Sequence, residues 1–199
     1  MMPKKMLSKT LFLVSYLFLC ATAFAQDEIQ WDGKYQLQLS DFKSASTQIG
    51  GTTVYSLQTF LGVDFSFSMS RVQFMMTKNF NAKVNNNFRR NVASLVAPDT
   101  ASAENLVAFA QYQFDTAELY ARKFRKKIFE EKGTFSDVSF FKPFYDDIQK
   151  EFSERVADAV KKTDLGRKKE ELGVLHAAVL KEVGELEDFC RQCETKKKY

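Results

Sequence analysis

The segment 106–127, LVAFAQYQFDTAELYARKFRKK, limits the architecture of this chain more than any other stretch. Leu106, Ala110, Gln113, Ala117, Tyr120, Phe124 and Ile128 recur at spacings of three and four, the repeat of one face of an α-helix. Asp99, Thr100 and Ser102 offer oxygens to cap its first N–H groups, and Glu104 lies where the helix dipole favours a negative charge. Gly133 marks its stop. Any fold of this chain has to be arranged around that long helix, whose core-facing stripe carries one polar residue, Gln113.

Upstream the pattern is strand-like. Ile29 and Trp31, then Tyr35, Leu37 and Leu39, alternate around a turn at Asp32 and Gly33. A second strand is expected over 52–61 and a third over 63–78, with a change of parity near Ser70 and Arg71 that suggests a bulge. The segment between the asparagines at 85–87 and Pro98 reads as a short helix. Downstream, Pro143 suits a first helical turn, and Phe144, Ile148, Phe152, Val156 and Ala159 form an apolar face. The segment 163–166 breaks the chain before a last helix striped by Leu172, Leu175, Val179, Val183, Leu186 and Phe189. The expected fold is therefore α+β, a small antiparallel sheet packed on the long helix and followed by two further helices.

The N-terminus reads as an export signal. Three lysines in the first nine residues precede the apolar run 11–19 and then Ala23, Phe24 and Ala25, so cleavage is expected before Gln26. That run is about half of the ~20 residues needed to span a bilayer, so no retained membrane span is expected. Leu19 and Phe18 stand where a lipoprotein signal at Cys20 would need small residues. Removing 25 of the 199 residues leaves 174, enough for one domain over 26–199, and takes the formal charge from +4 to +1. A nearly neutral domain whose basic clusters, 122–127 and 196–198, read as a solvated helix face and a tail lacks a nucleic-acid footprint. The destination expected is the periplasm or the extracellular space.

Cys190 and Cys193 remain in the mature chain as Cys-Arg-Gln-Cys. A zinc ribbon needs a second pair, and a thioredoxin-like motif opens a helix after a strand, whereas this pair closes one. In an exported chain a local disulfide is the reading. Histidine is scarcer still: His176 alone, so a metal site built on two or three imidazoles cannot form within one molecule.

Several pieces resemble the exported bacterial domain-of-unknown-function 922 family, described as zinc-dependent protease-like. They are Ile29 and Trp31, Leu39 with Asp41 and Phe42, Gln111, Phe114 and Asp115, Ala117 and Glu118, Tyr120 with Ala121 and Arg122, and finally Thr163, Asp164 and Gly166. The resemblance implies a zincin-like fold in which the long helix carries His-Glu-x-x-His and a later loop supplies a third histidine. Here the helix positions hold Phe109, Ala110 and Gln113, and the loop position holds Leu165. Phenylalanine and leucine have no lone pair to give, glutamine is a weak zinc ligand, and alanine accepts no proton. The implied expectation is a pseudo-metallopeptidase without zinc or other cofactor, in which Phe109, Gln113 and Leu165 lie close together and the former site has become core.

Asp115 and Glu118 are also spaced to pair with Arg122 on the helix surface. Three function classes follow. The first is a non-catalytic binding or assembly protein of the cell envelope, holding an unidentified protein or peptide partner in the former cleft. The second is a hydrolase using carboxylates such as Asp115, Glu118, Asp146 or Asp147. The third is an oligomer held by the last helix, whose spacing suits a coiled-coil seam.

Overall fold

The computed structural model describes residues 27–195, so the expected signal segment, Cys20 and the lysines at 196–198 lie outside the described residues. The order of elements is β1 (Glu28–Gln30), β2 (Gln48–Ile49), β3 (Ser56–Gln58), β4 (Asp64–Phe65), α1 (Arg71–Met76), β5 (Val84–Asn85), β6 (Asn87–Arg89), β7 (Ser94–Ala97), α2 (Thr100–Glu131), α3 (Phe141–Thr163) and α4 (Lys169–Glu185). It is an α+β fold with a long central helix and two further helices after it.

The strands form three small sheets. β1 pairs antiparallel with β6, placing Ile29 opposite Phe88. β7 lies between β2, to which it is parallel, and β3, to which it is antiparallel with Leu57 opposite Leu95. β4 pairs antiparallel with β5. Although few residues are hydrogen-bonded as strands, the alternation persists. Leu57, Thr59, Leu61, Val63, Phe65, Phe67 and Met69 turn inward, while Gln58, Phe60, Asp64, Ser66 and Ser68 are exposed.

Two sequence expectations are corrected. The strand over 63–78 ends early, because Ser70 caps α1: its Oγ accepts from the Gln73 N–H at 3.3 Å and the Gln73 side chain accepts from the Ser70 N–H at 2.9 Å. The parity change read as a bulge is this helix start, after which Phe74 is buried while Val72 and Met76 face outward. The segment expected to be helical before Pro98 is β6 and β7 instead. Leu95 and Ala97 are buried against Ala103, Leu106 and Ala110, so tertiary packing sets its conformation.

α2 spans 32 residues, about 48 Å at the usual rise. Asp99 caps it, its carboxylate accepting from the Ser102 N–H at 2.7 Å. Three apolar clusters clothe it. Its first half packs on the β7 region through Leu106, Ala110 and Phe114. Its second half meets a ring cluster of Phe65, Phe67, Phe74, Phe80 and Phe141, with Phe65 edge-on to Phe124 at 5.1 Å. A third face, with Phe109, Tyr112 and Leu119, packs on Leu172, Val179 and Val183 of α4. The last-helix stripe therefore points inward, leaving Val174 and Leu180 outside. Among the described residues no helix is long and apolar enough to cross a membrane.

Candidate functional site

The positions singled out by the resemblance lie on well-packed ground. Phe109 and Ala110 are completely buried. Leu165 is partly buried and shares with Phe109 the cluster that joins α2 to α4. Asp164, Leu165 and Gly166 all have positive φ, a left-handed turn that presses the loop against α2. A Cβ on Gly166 would lie 2.6 Å from the Asn105 carbonyl oxygen and 3.0 Å from the Phe109 Cβ, so glycine is required by the approach as well as by its φ of 89°. The Leu165 carbonyl accepts from the Tyr55 hydroxyl at 3.0 Å. Gln113, one turn beyond Phe109, has its amide oxygen engaged by the Thr59 hydroxyl at 2.8 Å. These side chains do not fit a zinc ion: Phe109, Ala110 and Leu165 have no donor atom, and the Gln113 oxygen already has a partner.

The chemistry-bearing groups sit on neighbouring faces of the same helix. Asp115, only 4% exposed, has three polar partners. Trp31 Nε1–H donates to Oδ1 at 2.7 Å, and the Gln111 amide donates to Oδ2 at 3.0 Å. His176 Nε2, from α4, lies 2.6 Å from Oδ2. Gln111 is oriented by the Leu37 N–H, which its oxygen accepts at 2.8 Å, so its NH2 must face the carboxylate. The expected Asp115–Arg122 pair is thus replaced by a Trp–Gln–His set. His176 had a sequence signal: it lies four residues after Leu172 in the inward stripe of α4.

Glu118 forms the expected pair with Arg122, at 3.0 Å, and a second one with Arg125, at 2.8 Å. Arg122 also lies over the Trp31 ring and donates to the Val183 carbonyl at 2.8 Å. Arg125 donates to the carbonyls of Val84 and Phe189. Burial pulls the Arg125 guanidinium below its ordinary range, and the Glu118 carboxylate opposes that shift. The cluster ties the end of α4 to the sheet region. It is a structural clamp, because the terminal guanidinium nitrogens donate to the Val84, Val183 and Phe189 carbonyls, while the buried Arg125 Nε has no hydrogen-bond partner among the described residues.

Cys190 and Cys193 form a disulfide. It closes the tail turn, and the Cys193 carbonyl accepts from the side chains of Asn79 and Asn81 at 3.0 and 2.9 Å. Asp146 is exposed and pairs with Lys142 at 2.7 Å, and Asp147 is exposed as well, so neither joins Asp115 or Glu118 in a common site. An open groove of about 450 Å³ lies between residues 36–37, α2 and α4, with His176 in its wall. No family model, curated protein or solved structure matches the chain.

Proposed function

We propose that this chain is an exported, non-catalytic pseudo-metallopeptidase with a binding or assembly role in the cell envelope. The observation that carries the reading is the state of the zincin positions: Phe109 and Ala110 fully buried, Leu165 packed with Phe109, and Gln113 bound to Thr59. A hydrolase of that kind needs imidazoles to hold the ion and a carboxylate to take a proton from its water, and these side chains supply neither. Burying Phe109 contributes ~1.5–3 kcal/mol to the core that occupies this ground. The groove beside residues 104–111 gives such a protein a concave surface for its partner. Export rests on the composition of residues 1–25.

The test is an assay of the mature, tag-free chain on unfolded casein with added zinc. No cleavage sensitive to a chelator is expected, and chelator-sensitive cleavage that follows the protein through purification would overturn the proposal. A second reading, a hydrolase of different chemistry, is favoured by one observation, the imidazole held by Asp115 at the groove. Chelator-insensitive ester hydrolysis lost in His176→Ala would support it instead.

A further inference from the structure

α2 and α4 run side by side in the same direction. Gly166 sits against Asn105 and Phe109, His176 meets Asp115, and Arg122 reaches the Val183 carbonyl. The groove between them accordingly has two ends. Glu104 and Lys169, of opposite charge, lie at one, and Gln111 and His176 lie at the other. The rest of the lining is mostly apolar, Leu37, Val107, Ala108 and Leu172, with the neutral amides of Gln36 and Asn105, and Gly173 adds no side chain. A surface of this kind, mostly apolar with neutral amides and with its flanking charges cancelling, suits an organic molecule without net charge.

The polar end is specified more closely. Asp115 already accepts from an indole N–H at one oxygen and an amide N–H at the other, an arrangement that favours its ionised, acceptor-only form. His176 must then give its Nε2–H to Oδ2, and in the neutral ring Nδ1 is left as a lone-pair acceptor. Nδ1 makes no hydrogen bond to any described residue, and the ring is held edge-on by Tyr112.

We propose that this groove is a ligand site for neutral, partly apolar organic molecules carrying an N–H or O–H donor, which His176 Nδ1 accepts. The inference rests on the binding reading given above and names the class of ligand. A carboxylate of the same carbon skeleton has no proton to offer and meets an acceptor backed by the Asp115 charge, so it is refused.

The test uses the mature chain with 15N-labelled histidine. Because the chain has one histidine, its long-range 1H–15N correlations belong to His176 without assignment. They should show a ring protonated at Nε2 and not at Nδ1. Titration with 2-phenylacetamide and with 2-phenylethanol should then move the Nδ1 signal saturably in the millimolar range expected for such small probes, and phenylacetate should not. Gly173→Leu fills the groove from α4, where an added Cβ meets nothing within 4 Å, and should weaken the response at least tenfold. Ala108→Leu, from the facing wall, should do the same if the first variant fails to fold. Gly184→Leu, on the same helix away from the groove and with equally open space, should leave the response intact. An Nδ1–H tautomer, no response to either donor probe, an equal response to phenylacetate, or a response surviving in both filled variants would each overturn the inference. None of these results bears on the casein assay, so the two readings fail separately.

Discussion

At the scale of single residues, Glu118 has the most exacting position. One buried carboxylate oxygen serves two guanidiniums, Arg122 and Arg125, and removing its charge leaves both in the core without a counter-ion. Glu118→Gln should therefore cost about 3–5 kcal/mol of unfolding free energy, read from urea denaturation monitored by circular dichroism. A loss under about 1 kcal/mol would mean that the carbonyls of Val84, Val183 and Phe189 satisfy the arginines on their own. Gly166 is held by geometry instead. Gly166→Ala should cost at least ~1–3 kcal/mol, since it combines positive φ with a 2.6 Å approach to the Asn105 carbonyl. An unchanged midpoint would show that the loop can lift off α2. Some of this was legible: Glu118 with Arg122 follows from a spacing of four, and Asp99 as a cap from its place before the helix. The His176–Asp115 pair was not, because a contact between residues 61 apart depends on how α4 is laid along α2.

Between elements, α3 and α4 are joined by Arg155 and Glu182, paired at 2.7 Å with Lys123 of α2 alongside at 3.4 Å. The hydrogen bond from Arg155 holds the Glu182 carboxyl below its usual range, against the opposing effect of partial burial, and Lys123 adds to the lowering. A carboxyl lowered in the folded state contributes stability above its unfolded value, near 4.5, and loses it as pH falls through the folded value. Wild type should therefore exceed Glu182→Gln in urea midpoint at a pH of about 7 and match it in strong acid. A difference that stays constant with pH would remove the ion pair from the account of this junction. Secondary structure was most readable where the periodicity was long: α2, α3 and α4 follow their stripes. It failed at 71–76 and 87–97, where short segments owe their conformation to a capping box and to packing on α2. The start of the strand expected over 63–78 keeps its alternation, yet within 63–69 only Asp64 and Phe65 form a hydrogen-bonded strand, since apolar alternation specifies a face and not a pairing partner.

For the molecule as a whole, α2 acts as the central rod, with 18 of its 32 residues buried under the sheets, the phenylalanine cluster and the last two helices. One stripe was visible in the sequence, but helices and strands cover the rod on several sides, which a single-face pattern cannot announce. Polar residues on the remaining faces, Gln111, Asp115, Glu118, Arg122 and Arg125, are buried among partners that include one another, Trp31, His176 and main-chain groups, with the Arg125 Nε left unsatisfied among the described residues. The same packing buries Phe109 and Ala110 completely, and the proposed function stands or falls at these positions and at Gln113 and Leu165. Metal analysis of the mature protein, purified without a histidine tag and dialysed after exposure to excess zinc, tests it most directly. Well under a tenth of an equivalent of zinc should remain, as expected on the order of magnitude for side chains lacking donor atoms. One full equivalent, retained through dialysis and lost to a chelator, would contradict it.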